Sequence, residues 1–531
     1  MKLSLRSSGA PRLCSITRRS LAMLLIATAA YGQVESGAPT QQPRHAVRGT
    51  VVNSVTGEPI ARALVTMSGE TEPATMTDAN GAFRFDAVPE GQERVAAERP
   101  GFFPVDTRGQ AFSVAGDVEG LVIPLAPQAV IRGRIASLQN VALEDLPVRL
   151  FLRSYSNGRA QWQLAGMTTS DDDGQFRFGG LQGGSYCVTA GPENWRQRAP
   201  GSRPRGYAEV FYPNAPDFSS ASVISVNAGQ QAEANFSLAP EPLFEISGQV
   251  AGVPAGLESS VQLRNGAGES VPVMPRGPHS FSTFVPAGNY LVSAAASNET
   301  VSLQGSLPLA VAGNTANIQV MLTPRSSITV NVRSEGAEAS AGRTSLSEAV
   351  RVMLVPPILG LHGQLWAQPV NGQRGRMEIY GAEPGTYSVE ITAYGKYVVS
   401  AISGSTNLLT DPLVVSSDGQ AEPIELLLAG DGGMVSGSVQ TSEPINGATV
   451  LLIPDRTSAG LVQSAALSGS GDFQFEQVRP GNYSLIALEK GDELEYQNPE
   501  ALSRYLSRAT QITVASKQQV QANLQLISAD K

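Results

Sequence analysis

The sequence predicts an all-β protein built as a tandem array of about five β-sandwiches, and three observations point there. One pattern recurs roughly every 100 residues, the spacing of a repeated domain. Within each recurrence, short apolar-alternating runs are separated by turn residues, the signature of sandwich strands. Gly and Pro supply 54 and 35 of the 531 residues, about 17% of the chain against a usual ~12%. Charged residues are only 16%, below the usual ~25%. At 41% hydrophobic, the chain is not a disordered polyelectrolyte, and its Gly lacks the three-residue period of collagen.

Residues 1–32 read as an export signal. Lys2, Arg6, Arg12, Arg18 and Arg19 form a basic region without acids. The apolar run Leu21–Ala30 follows, with small residues at Ala30 and Gly32 suited to cleavage. The run is shorter than the ~20 residues of a membrane span. Thr17-Arg-Arg-Ser-Leu21 also resembles a twin-arginine signal, so Sec and twin-arginine export both fit. Cys14 precedes the apolar run, which does not match a lipobox. Nothing later reads as a membrane anchor. The expected product is exported, periplasmic or at the cell surface.

Cleavage would remove 5 of the 38 basic residues and leave 33 against 47 acidic ones, changing the net charge from −9 to −14. Such a field disfavours nucleic acid and anionic membranes as partners. One cysteine, Cys187, would remain, and one cysteine makes no intrachain disulfide. Its setting in Ser185–Thr189 is a strand-like run suited to a buried thiol.

After a linker at 33–44, the copies follow in order. The first, 45–127, carries Val47-Arg-Gly-Thr-Val51, Gly57-Glu-Pro-Ile-Ala-Arg-Ala-Leu-Val65 and Thr77-Asp-Ala-Asn-Gly-Ala-Phe-Arg-Phe85. The second, 128–241, opens Ile131-Arg-Gly-Arg-Ile135 and reaches Asp173-Gly-Gln-Phe-Arg-Phe178 and Gly184-Ser-Tyr186. The third, 242–325, has Ile246-Ser-Gly-Gln-Val250 and Pro286-Ala-Gly-Asn-Tyr290. The fourth, 326–430, is worn, keeping Ile328–Val332 and Glu383-Pro-Gly-Thr-Tyr387. The fifth, 431–531, has Val435-Ser-Gly-Ser-Val439, Gly471-Asp-Phe-Gln-Phe475 and Arg479-Pro-Gly-Asn-Tyr483.

Each piece has a strand or turn reason. Phe83 and Phe85, like Phe176 and Phe178 or Phe473 and Phe475, stand two apart, so both rings face one side of a strand. Asp78-Ala-Asn-Gly81 offers Asx hydrogen bonding and a Gly tolerant of positive φ. Pro-Gly at 384–385 and 480–481 suits a type II turn. Asn498-Pro-Glu-Ala-Leu502 has an N-cap Asn and Pro at the first helical position, predicting a short helix packed on the last sandwich. Gly360–Trp366 is an apolar loop suited either to packing between sandwiches or to a partner.

The motifs Gly57-Glu-Pro-Ile-x-x-Ala-x-Val65, Thr77-Asp-x-x-Gly-x-Phe-x-Phe85 and Pro480-Gly-x-Tyr483 resemble the carboxypeptidase regulatory-like domain. The resemblance implies a seven-stranded, transthyretin-like sandwich, also grouped with carbohydrate-binding-like folds. It covers the first copy throughout and the second and fifth in their central hairpin. In the third and fourth it rests on the Gly-x-Tyr turn. It implies a fold and says little of function, since the family includes stalks, adhesins, binding modules and enzyme appendages.

No catalytic or metal site is expected. Zinc hydrolysis needs clustered ligands, whereas His45, His279 and His362 lie in three different regions. Nucleophile-elbow and phosphate-loop motifs are missing from the sequence. Asp171-Asp-Asp-Gly174 has too few convergent oxygens for calcium and reads as a hairpin tip. Lys–Asn cross-linking, known in collagen-adhesin B-type domains that the unit also resembles, finds no lysine in residues 33–395. In the last copy, Lys490 follows the Pro-Gly-Asn-Tyr hairpin, the wrong element for such a bond. No cofactor is expected.

The segment least explained by folding is 191–216, too long and Pro-rich for an ordinary hairpin. Trp195, Arg203, Arg205, Tyr207, Phe211 and Tyr212, with Trp162 of the same copy, form a candidate ligand-binding set. Aromatic rings and guanidinium groups stack on sugars and grip acidic groups. The same residues could instead wrap their own sandwich, rings inward. The expectation is therefore a non-catalytic binding, adhesion or scaffold protein of the cell envelope, taking an envelope protein or a polysaccharide as partner. The alternative is a carbohydrate-binding protein that uses the second sandwich.

Overall fold

The computed structural model describes residues 43–527 apart from 69–72, 107–108, 193–204, 217, 267–269, 299–301, 325–326, 336–348, 360–363, 417–419, 441–447, 456–460 and 469–470. The segment 1–32 and the side chains of Trp195, Arg203 and His362 lie outside the described residues. The described chain is nearly all β, as the alternating runs predict.

Five large apolar cores succeed one another among the described residues. They span Val47–Leu125, Ala129–Leu238, Ile246–Leu322, Ile328–Leu428 and Val435–Leu524. Each core is closed by the same arrangement around an opening strand. Arg44–Asn53, for example, pairs antiparallel with Ala82–Pro89 on one side and parallel with Val118–Pro127 on the other. Opening strands at Ala129–Ser137, Phe244–Ala251, Ser327–Ser334 and Gly433–Gln440 repeat that pairing. In the first sandwich the facing sheet has the order Ala74–Met76, Leu64–Ser68, Gly91–Glu98, Gln110–Val114. In the last, Gln519–Ile527 pairs parallel with both Gly433–Gln440 and Gly481–Leu488, so one strand belongs to both layers.

The recurring Gly of the opening strand has a packing cause. Gly49, Gly133, Gly248 and Gly437 stand opposite Phe83, Phe176, Phe281 and Phe473 in the register. A Cβ on these glycines would lie 2.6, 2.6, 2.8 and 2.9 Å from the Cζ of the respective ring, and closer still to a carbonyl oxygen of the parallel last strand. The worn fourth copy keeps the pair in a different form, with Val330 opposite Met377. A flexible Met in place of the rigid ring makes room for a side chain on the opening strand.

The Asx turns form. Asp78 Oδ1 accepts from the amides of Asn80 at 2.8 Å and Ala82 at 2.9 Å, and Asp171 Oδ1 accepts from Asp173 and Gln175. The type II turns do not. Gly385 sits at φ 151°, far from the roughly +80° such a turn needs, and Gly481 has no positive φ. A tyrosine hydroxyl closes the corner instead. Tyr186, Tyr290, Tyr387 and Tyr483 donate to the carbonyls of Gln182, Pro286, Glu383 and Arg479, four residues back, at 2.7–3.1 Å. The predicted helix forms over Pro499–Ser503, with the Asn498 side chain accepting from the Glu500 amide at 3.1 Å. Leu502 and Tyr505 pack with Tyr496 in a small second core on the last sandwich.

Candidate functional site

Phe211 belongs to a two-residue strand paired with Thr189 and Ala190, which turns its ring beneath the sheet of the second sandwich. It is 3% exposed and packs with Phe151 and Cys187. The ring of Phe218 joins this cluster, 4.9 Å from Phe211, 5.1 Å from Phe151 and 5.3 Å from Trp162. Burial pushes the Cys187 thiol up to about 12, helped by the carboxylate of Glu209, so it stays protonated and unreactive at neutral pH. Tyr212 stacks edge-on against Phe236 at 5.8 Å, and Tyr207 packs half-buried against the same core.

Trp162 remains half-exposed on the strand Arg159–Thr169, whose backbone pairs parallel with Ile358–Leu359 of the fourth sandwich. Arg205 is exposed and donates to the Pro240 carbonyl at 3.0 Å. Five of the seven predicted residues are thus placed. Trp162, Phe211, Tyr207 and Tyr212 pack into or onto the second sandwich, and Arg205 lies on its surface.

Glu209, in the same segment, has a structural contact that composition alone did not mark. Its side chain is 6% exposed, 3.4 Å from Arg149 Nη1, and accepts from Asn265 Nδ2 of the third sandwich at 2.7 Å. The segment therefore fastens sandwich 2 to sandwich 3. An ion pair between Arg264 and Glu383 then fastens sandwich 3 to sandwich 4.

A second contact set lies at the tip of the hairpin joining Pro147–Ser156 to Arg159–Thr169. Asn157 and Gly158 take φ values of 49° and 71°, the left-handed pair that a two-residue hairpin favours. The tip reaches sandwich 4, where Asn157 Nδ2 donates to Glu390 Oε2 at 3.0 Å and Arg159 Nη2 to the Leu409 carbonyl at 2.9 Å. It also reaches sandwich 5, since the Gly158 carbonyl accepts from the Gln497 amide at 3.0 Å and Gly158 lies against the Tyr496 ring. Asn157-Gly158 is a dipeptide that could have marked this hairpin in the sequence, whereas its partners, more than 230 residues away, leave no local trace.

His45 contacts Glu90 at 3.0 Å and His279 contacts Ser259 at 3.0 Å, on different sandwiches. No group of three His, Cys, Asp or Glu able to hold a metal occurs among the described residues. Lys490 lies 3.8 Å from Glu493 in a turn after its strand. No described helix is long and apolar enough to cross a membrane.

Residues 46–125 match the family model of the carboxypeptidase regulatory-like domain. No curated protein matches the sequence. Among solved structures, the chain is similar to the Bacillus anthracis TIE protein, at 13% identity over 53% of this chain and 50% of that one, with a TM-score of 0.18. It is also similar to the shaft pilin SpaA of Lactobacillus rhamnosus GG, at 10% identity over 38% and 98% of the two chains and a TM-score of 0.20. The minor pilin GBS52 of Streptococcus agalactiae gives 13% identity, 37% and 97% coverage and a TM-score of 0.21.

Proposed function

We propose that the chain is an exported, non-catalytic scaffold or adhesion protein of the cell envelope, made of five sandwiches with the boundaries read from its repeat. The observation that carries this reading is how the described part of the 191–216 segment is used. Its described rings pack on their own sandwich, and Glu209 links that sandwich to the next. The contact from this segment to the next sandwich is the kind a spacer that holds surfaces in place would make. The basic and apolar pattern of residues 1–32 supports export. The test is capture by the purified mature chain from envelope extract, run beside retention on polysaccharide gels. Recovery of specific envelope proteins supports the scaffold, and retention by a polysaccharide alone overturns it.

The second reading is a carbohydrate-binding protein using Trp162, Trp195, Arg203, Arg205, Tyr207, Phe211 and Tyr212. It is favoured by the half-exposed Trp162 and the exposed Arg205 on the same sandwich. Replacing Trp195 or Tyr212 by Ala separates the two readings. Loss of folding assigns these rings to packing, and intact folding with lost retention assigns them to a site.

A further inference from the structure

Sandwich 4 turns the outer side of one sheet toward solvent. In the strand Val350–Val355, Val350, Val352 and Leu354 enter the core, so Arg351 and Met353 point the other way. The register sets Trp366 opposite Met353 on one neighbouring strand and Thr392 opposite Arg351 on the other. Tyr394 follows two residues after Thr392, and the Arg351 guanidinium lies over its ring at 5.6 Å. Trp366, Met353, Arg351, Thr392 and Tyr394 therefore share one face.

The fold makes little use of these side chains. Trp366 and Tyr394 are each 49% exposed, and neither packs on an apolar core among the described residues. A scattered exposed aliphatic is ordinary, whereas two large exposed rings on one face mark an interaction surface. The Trp366 side chain forms no hydrogen bond with a described residue, which leaves its indole N–H open to a ligand. Arg351 is exposed and forms neither an ion pair nor a hydrogen bond with a described residue. The acid that shares this face in the register, Glu390, stands opposite Met353 and is engaged by Asn157 of the sandwich 2 hairpin.

Size and charge select the occupant. The Tyr394 amide donates to the Ala349 carbonyl at 2.8 Å, so strand geometry sets the backbones of Trp366 and Tyr394 roughly 16 Å apart. A strip of that length takes a linear chain of a few sugar rings, while a folded partner covers about 800 Å² on its side. Sugar C–H faces stack on exposed rings, hydroxyls meet the indole N–H and the Thr392 hydroxyl, and a carboxylate pairs with a guanidinium.

We infer that this face of sandwich 4 binds an acidic polysaccharide, with Trp366 and Tyr394 as stacking platforms and Arg351 selecting a uronate carboxylate. The site is separate from the aromatic segment of sandwich 2 and does not depend on the scaffold reading.

The test is titration calorimetry of the full mature chain with a galacturonate oligomer and a neutral glucose oligomer of equal length. Saturable binding of the galacturonate oligomer is expected, at least tenfold weaker for the neutral one. Binding at least tenfold weaker is also expected in Trp366→Ala and in Arg351→Gln, with unchanged melting temperatures because neither side chain joins a core. Should Trp366→Ala melt early, Tyr394→Ala is expected to give the same loss with the fold intact. No saturable binding, equal binding of the neutral oligomer, or binding unchanged in Trp366→Ala or in Arg351→Gln overturns the inference. Binding lost in Trp195→Ala but kept in Trp366→Ala also overturns it, and moves the ligand to the aromatic segment. Capture of envelope proteins is scored separately. Capture without oligomer binding overturns this inference and leaves the scaffold reading standing.

Discussion

A single missing Cβ organises each of four sandwiches. Gly133 admits the Phe176 ring and the Ala234 carbonyl into the space a side chain would occupy. Gly133→Ala is therefore expected to cost about 1–3 kcal/mol, the scale of overpacking. The measurement is a lowered denaturant midpoint for the transition of sandwich 2. Gly313, with open space around its Cβ position and no positive φ, is the control, and Gly313→Ala should change stability by less than ~0.5 kcal/mol. Phe176→Met is expected to recover part of the Gly133→Ala loss, because Val330 and Met377 already use that pairing in the fourth copy. The tyrosine corner gives a second expectation at this scale. Burial pushes the Tyr483 hydroxyl up to about 12. An acid whose folded pKa is raised favours the fold in its neutral form. Its contribution is complete below the ordinary tyrosine pKa of ~10 and is lost as pH rises through 12. Tyr483→Phe should lower stability by about 0.5–1.5 kcal/mol at neutral pH. It should also flatten the alkaline fall, followed by tyrosinate absorbance and denaturation midpoints.

At the scale of elements, strands, Asx turns and the capped helix were legible because each depends on residues within a few positions of one another. The Phe-x-Phe spacing places rings on one face wherever the strand goes, and the three pairs share centroid separations of 6.0–6.1 Å. Pro-Gly was misleading for a physical reason: the turn type depends on what satisfies the carbonyl at the corner, and here a tyrosine hydroxyl does so. The aromatic segment was legible as unusual but ambiguous in direction, because a ring that stacks on sugar also packs on Phe236 or Phe218. Glu390 shows what an element-level contact adds. Ser156, Asn157, Arg159 and Gln161 of the hairpin face it, with Tyr496 nearby on sandwich 5. Its pKa is raised, chiefly by desolvation, so docking of the hairpin is complete below the ordinary carboxyl range and weakens as pH rises through the raised value. Glu390→Gln should dock at neutral pH and lose this dependence. The readout is amide exchange in residues 156–161 measured across the acid range; a dependence unchanged by Glu390→Gln would show that another group controls it.

For the whole molecule, the decisive contacts connect modules that are not neighbours in the chain. A string of sandwiches would touch only in sequence order, yet sandwich 2 donates to sandwich 4 through Asn157 and Arg159 and accepts from sandwich 5 at Gly158. It also pairs strand to strand with residues 358–359. Most of these bonds involve at least one backbone atom, and salt screens mainly interactions between full charges. The fold-back should therefore persist at high ionic strength, unlike an association driven by the Arg153–Glu495 pair at 3.6 Å. Gly158 is the point at which it can be broken without harming sandwich 2. An added Cβ would meet the Tyr496 ring, with Cγ at 2.6 Å, and would sit on a residue already at φ 71°. Gly158→Ala combined with Arg159→Ala is expected to raise the radius of gyration in solution scattering. The transition of sandwich 2 should stay within about 1–2 kcal/mol of wild type, the cost of one left-handed Ala. An unchanged radius in the double variant would mean that the strand pairing with residues 358–359 alone holds the array closed. Deleting that pairing would then be required to open it.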